Sequence, residues 1–193
     1  MKVYGSVASP YVRRVRMALS GKAFEFVAMN IFESAGRELL VRLNPTRKVP
    51  MLQDGDQVIF DSGVIYRYLV AHHGLPALTW QQENDLTTIN AANDSFVELL
   101  LCKRSGFDTN DDKLFFNLQR ERVAGTLQVL NDKVAAGDFA AWNYVSQSLY
   151  CLVDWVSYRG LYDLTPYPEL TAFITQHAQR VDVCETDPRL ADV

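Results

Sequence analysis

Cysteine is scarce in this chain: three in 193 residues, at positions 102, 151 and 184. So few thiols, odd in number and far apart, make neither a disulfide framework nor a zinc pattern. They suit a reducing compartment, and a cytoplasmic protein is expected. Long hydrophobic runs are missing too, and nothing approaches the roughly 20 apolar residues of a membrane span, so no membrane role is expected. Positive charge is not in excess: 19 Lys and Arg stand against 23 Asp and Glu, a net charge of −4. Nucleic acid is therefore not the expected partner, since neutralising phosphates needs a basic surface. The neighbouring His72 and His73 would point in different directions on a helix, without the i, i+4 spacing of a ligand pair, and no metal is expected. MKVYGSV runs straight into a charged helical pattern, so no signal peptide is expected. No internal repeat or low-complexity segment is present.

What remains is an ordinary globular composition, 48% hydrophobic and 22% charged. Two patterns follow one another. KVYGS, FEFVAMN, VPMLQD and QVIF read as strands, the last two forming a hairpin about DGD. Pro10 to about Gly21, residues 34–43 and SGVIYRYLVAHH read as helices. The order β-α-β-α-β-β-α predicts a mixed sheet with helices on its faces, as a first domain over residues 1–75. Gly74 and Pro76 break the last helix, making 74–80 a linker. Beyond it, Leu86, Ile89, Phe96, Val97 and Leu100, then Val123, Leu127, Leu130 and Val134, keep helical spacing. Leu149, Leu152, Val153 and Val156, then Leu170, Phe173 and Ile174, do the same. Residues 81–193 are predicted to form an all-helical bundle.

Three short segments carry the chemistry. In GSVASPYVRRVRMAL, Ser9 and Pro10 suit a helix N-terminus, the hydroxyl capping a backbone N–H and proline standing at the first helical position. Val12, Val15 and Leu19 mark the buried face. Arg13 and Arg16 fall on the wet side, and the cluster 13, 14 and 16 reads as a solvated face. Whether Ser9 only caps or also reacts stays open on this stretch. In NPTRKVPML, Pro50 stands directly before a strand. It is either a strand-start proline or the second half of a cis Val49–Pro50 bond, which would free the Val49 backbone to pair with an extended peptide. In FDSGVIYRYL, Asp61 and Ser62 head a helix. Asp61 can be a plain cap. The pair also suits an α-amino acid head group, with Asp61 on the ammonium and Ser62 and the helix end on the carboxylate. Lys48 is either solvated or paired with a second carboxylate. All of these fall at one edge of the predicted sheet, where α/β folds gather ligands. Together they describe a short peptide with an amino-acid head and a terminal carboxylate.

SPYVRRVRMAL, NPTRKVPML and FDSGVIYRYL resemble the signature segments of the thioredoxin-like N-terminal domain of soluble glutathione S-transferases. QRERVAGTLQVLNDKV, LVDWVSYRG and YPELTAFITQHAQR are similar to the helical half of that family, so the resemblance covers nearly the whole chain. The Ser-Pro-Tyr element is similar to the Ser/Cys-Pro-Phe element of tau- and omega-like classes and many bacterial members. The resemblance implies that Val49 pairs with the cysteinyl backbone of glutathione, that Asp61 and Ser62 hold its γ-glutamyl end, and that Lys48 approaches its glycyl end. Glutathione is then a co-substrate. Ser9 would donate to its sulfur and favour the thiolate over a free thiol of pKa about 8.5. Serine in this place favours conjugation or glutathione-dependent reduction of a small electrophile without a covalent enzyme intermediate. A second-substrate pocket is expected between the domains, from residues near 96–107 with Tyr11, Phe96 and Leu100. A homodimer is implied, and Asp94, one helical turn from Asn90, would approach the partner's γ-glutamyl site or remain solvated. The competing function is a non-catalytic member that uses the fold to bind a protein partner. One departure stands out: the Ser/Thr-x-x-Asp capping box expected before LVDWVSYR is replaced by NYVSQ, with either Gln147 reaching back or Asn143 as the cap.

Overall fold

The structure is a computed structural model that describes residues 1–192, with side chains through residue 190. Its first part follows the expected order: β1 (Lys2–Gly5), α1 (Pro10–Ala18), β2 (Glu25–Ala28), α2 (Ser34–Leu43), β3 (Met51–Asp54), β4 (Gln57–Phe60) and α3 (Ser62–His73). The sheet runs β2-β1-β3-β4. β1 is parallel to β2 and antiparallel to β3, and β3 pairs antiparallel with β4. This is the mixed sheet of a thioredoxin-like domain.

Strand alternation explains how both faces are covered. Val3 and Tyr4 are neighbours in β1 and point to opposite sides. Val3 joins Val15, Leu19, Leu52, Ile65 and Leu69, the core under α1 and α3. Tyr4 joins Met29, Leu40 and Met51, the core under α2. Leu19, Leu52, Ile65 and Leu69 are fully buried, each worth about 1.5–3 kcal/mol of transfer free energy. Gly5 sets how closely α1 lies on β1. A Cβ there would stand 2.4 Å from Cγ2 of the fully buried Val12.

The solvated arginine face expected on α1 is overturned. Arg13 and Arg14 are only 3% and 2% exposed. Arg13 donates through Nε to Thr186 Oγ1 and through an Nη to the Val183 carbonyl, both at 3.2 Å. Arg16 lies 4.0 Å over the Phe26 ring and donates to the Glu185 carbonyl. A helical wheel shows a polar stripe but cannot show that a segment some 170 residues away covers it. That segment is α8 (Val181–Cys184), followed by a 3-10 turn at Pro188–Asp192. The chain therefore divides into two compact units, Met1–Ala77 with Ala178–Val193, and Leu78–His177. The expected 81–193 domain is amended accordingly: residues from 178 onward pack with the first unit.

The second unit is helical: α4 (Trp80–Arg104), α5 (Leu114–Ala135), α6 (Tyr144–Arg159) and α7 (Pro168–His177). Thr79 and Gln82 form a capping box that starts α4 inside the expected linker. α6 is its centre, with every residue from Tyr144 to Val156 buried. Its start is settled by Asn143, whose Oδ1 accepts from Val145 N (2.9 Å) and Ser146 N (3.2 Å). Ser146 Oγ, rather than Gln147, accepts from Asn143 N at 2.7 Å. Among the described residues no helix is long and apolar enough to cross a membrane.

Candidate functional site

Strand direction alone gathers the marked residues of the first unit. Ser9 follows the C-terminal end of β1, Asp61 follows that of β4, and Val49–Pro50 precedes β3, which runs the opposite way. The register pairs Tyr4 with Met51 and Met51 with Phe60. All three segments therefore leave the sheet at the same edge, beside the N-termini of α1 and α3.

Ser9 occupies the N-cap of α1 with extended backbone, and Pro10 begins the helix. Its Oγ accepts from Val12 N at 3.4 Å, a long bond. The side chain is half-buried, and its hydroxyl proton finds no acceptor among the described residues. A hydroxyl has two lone pairs and one proton, so it can cap and donate at once. The alternatives left open by the sequence are compatible in one atom.

The Val49–Pro50 bond is cis, as one sequence reading expected. Pro50 is buried, Val49 is half-buried and packs on the α2-side core, and Lys48 is exposed. The loop before them is shaped by Asn44, at 1% exposure. Asn44 Nδ2 donates to the Lys48 carbonyl at 2.7 Å, while its Oδ1 accepts from Thr46 N and Thr46 Oγ1 at 2.9 and 2.8 Å. Asn44 stood inside the quoted motif with no role assigned. The available signal was its pairing with Pro45 just past a helix, a turn-forming dipeptide.

Asp61 is exposed and sits at φ 72°, ψ 127°, a region that costs a non-glycine residue about 1–3 kcal/mol. The strain is offset by two bonds to Oδ1, from Gly63 N at 2.9 Å and Val64 N at 3.1 Å. Oδ2 has no partner among the described residues. Ser62, by contrast, is 1% exposed. Its Oγ accepts from Arg14 Nη at 2.6 Å and Arg14 Nε at 3.2 Å. That bidentate contact ties α1 to the start of α3 and places a buried cation at this edge, with its Cζ 4.7 Å from the Tyr11 ring centroid. A hydroxyl that accepts from a cation is polarised toward donating its own proton. Sequence reasoning missed Arg14 because its partner is 48 residues away.

Of the expected second-substrate residues, Phe96 and Leu100 line a 440 Å³ cavity of the helical unit, and Tyr11 belongs to α1 of the first unit. Asp94 is exposed on α4.

Residues 3–77 match the family described as glutathione S-transferase, N-terminal domain. Glutathione S-transferase 1 of Zea mays is 31% identical over 192 residues, covering 86% of this chain and 87% of that protein. Glutathione S-transferase 3 of Zea mays is also 31% identical, over 61% of this chain but only about half (52%) of its own length. Among solved structures, a glutathione S-transferase of Methylobacterium radiotolerans, in complex with glutathione sulfonate, superposes with TM-score 0.81 at 20% identity. That match covers 96% of this chain and 93% of the other, a likeness of fold. A relative at 31% identity along most of both chains, with the family match over the β-α-β-α-β-β-α segment of residues 3–77, settles the family: this chain belongs to the glutathione S-transferase family.

Proposed function

We propose that the protein is a glutathione transferase, which activates the thiol of glutathione for attack on, or reduction of, a small electrophile. The observation that carries this reading is the convergence of Ser9, Val49–Pro50 and Asp61–Ser62 at one sheet edge, with Arg14 joining the two helix starts. Family membership supports it, as do glutathione-type ligands in solved relatives of the same fold. In this reading the Val49 backbone pairs with the cysteinyl residue. Asp61 Oδ2 takes the γ-glutamyl ammonium, Ser62 and the α3 N-terminus take its carboxylate, and Lys48 meets the glycyl carboxylate. Ser9 then donates to the sulfur. Each unit by which the bound thiol's pKa falls corresponds to about 1.4 kcal/mol of preference for the thiolate. A preorganised donor at the positive end of α1 supplies that preference without reorganising at the moment of reaction.

Retention on immobilised glutathione, followed by a conjugation and reduction assay over a broad electrophile panel, tests the proposal. Retention with turnover is expected. Retention without turnover would move the reading to a non-catalytic member that binds a partner. Failure to bind glutathione at all would remove the site.

A further inference from the structure

The residues assigned to the two ends of glutathione differ in kind. Those at the γ-glutamyl end include buried groups: Ser62 is 1% exposed, and Arg14, which donates to it, 2%. Those at the glycyl end are open. Lys48 and its neighbour Arg47 are both exposed, and neither makes an ion pair among the described residues. No Asp or Glu stands between Glu38 and Asp54, a stretch that carries Arg42, Arg47 and Lys48 in a protein whose net charge is −4.

Arg47 is the unusual member. Its φ of 56° is left-handed backbone, which a non-glycine residue keeps only where the surrounding chain holds it. Asn44 does the holding. Its carbonyl accepts from Arg47 N at 3.0 Å, and its side-chain amide donates to the next carbonyl, that of Lys48, at 2.7 Å. Both bonds use backbone atoms of the turn, so neither cationic side chain is spent on building it. A turn fastened from inside by a buried amide thus presents two adjacent cations to solvent, directly before Val49. Adjacent like charges raise the local concentration of anions. One cation answers the single carboxylate of a glycyl residue. The other has no counterpart in the tail of glutathione.

We infer that the site takes γ-glutamylcysteine peptides whose C-terminal residue is diacidic, and prefers them to glutathione. In γ-Glu-Cys-Glu the head and the cysteinyl part are unchanged. One tail carboxylate meets Lys48, and the second meets the Arg47 guanidinium, whose planar fork suits a carboxylate. The longer side chain extends among exposed groups, so no buried side chain has to move for it. The inference rests on the proposed glutathione site for the placing of Lys48.

The test is calorimetric titration of the full chain with glutathione, γ-Glu-Cys-Glu and its neutral-tailed counterpart γ-Glu-Cys-Gln. γ-Glu-Cys-Glu is expected to bind about threefold more tightly than either of the others, the scale of one exposed ion pair. Added salt should erode that difference. Arg47→Asn keeps the turn, because Asn tolerates left-handed backbone, and should bind γ-Glu-Cys-Glu and γ-Glu-Cys-Gln alike. Equal affinities in the wild type, a difference insensitive to salt, or a preference that survives Arg47→Asn would each overturn the inference while glutathione binding leaves the site itself standing. Failure of all three peptides to bind would overturn the transferase reading together with this one.

Discussion

Ser9 has one oxygen and two tasks. As a cap it accepts from Val12 N at 3.4 Å, and as a catalytic donor it would hold the sulfur of glutathione. Glycine separates the tasks, because it caps within a few tenths of a kcal/mol of serine but cannot donate. Ser9→Gly should therefore fold almost normally and bind glutathione with little loss. Its turnover should fall by about 10²-fold or more. Its pH–rate profile should move to higher pH, since a thiol without its donor ionises later. Wild-type turnover with an unshifted profile would reduce Ser9 to a cap. Asp61 allows a parallel separation. Asp61→Asn keeps the oxygen that accepts from Gly63 N and Val64 N, and Asn tolerates positive φ better than most residues. Stability should change by less than about 1 kcal/mol, while glutathione affinity, read by calorimetry, falls roughly tenfold or more as the charge facing the ammonium is lost.

At the scale of elements, the end of β3 is fastened to the end of α3. Asp54 Oδ2 lies 2.7 Å from His73 Nε2 and accepts from Tyr68 OH at 3.0 Å. The hydrogen bond with His73 is the main reason the Asp54 carboxyl sits below its ordinary range; partial burial opposes it, and the Tyr68 bond adds to it. A carboxyl with a depressed folded pKa contributes stability that is present above its unfolded value, about 4, and is lost as pH falls through the lower folded value. Asp54→Asn should therefore be less stable than wild type at neutral pH, and the gap should close as pH falls below about 4. Chemical denaturation across that range checks it. α7 shows an element that its own sequence does not start. Pro168 opens the helix, and the first free N–H groups, of Glu169 and Leu170, are accepted at 3.0 and 3.4 Å by Asn131 Oδ1 from α5. α6, by contrast, carries its cap in the residue directly before it, Asn143.

For the whole molecule, residues after 177 matter to the unit that begins the chain. Removing 178–193 would take the Thr186 and Val183 acceptors from a guanidinium only 3% exposed, and orphaning such a group costs about 1–3 kcal/mol or more. We expect the truncated chain to lose hydrogen-exchange protection in 1–77 before 78–177. Equal loss in both would mean that the C-terminal segment does not brace α1. The implied dimer has a candidate face on α5, where Leu114, Leu118 and Val129 are exposed at 76%, 46% and 46% and recur along one helical stripe. Light scattering at micromolar concentration should give twice the chain mass, and a single mass for Leu118→Glu/Val129→Glu. A wild-type monomer would remove the dimer.

Sequence by itself determined the order of elements and the residues that bound them. Turn and cap chemistry is local: Ser9-Pro10, Asp61 and Gly74 each satisfy backbone groups or dihedrals within a few residues. The alternation of strands and helices was enough to place Ser9, Val49–Pro50 and Asp61–Ser62 at one edge, because strand direction follows from connection length. Tertiary structure decided what long-range contacts decide. It alone showed that Arg13 faces Thr186 and that Arg14 holds Ser62. It alone revealed that Asn131 starts α7. A polar side chain carries no mark in the sequence to tell water from a partner 173 residues away; the cost of burying it is met only where the folded chain supplies the acceptor.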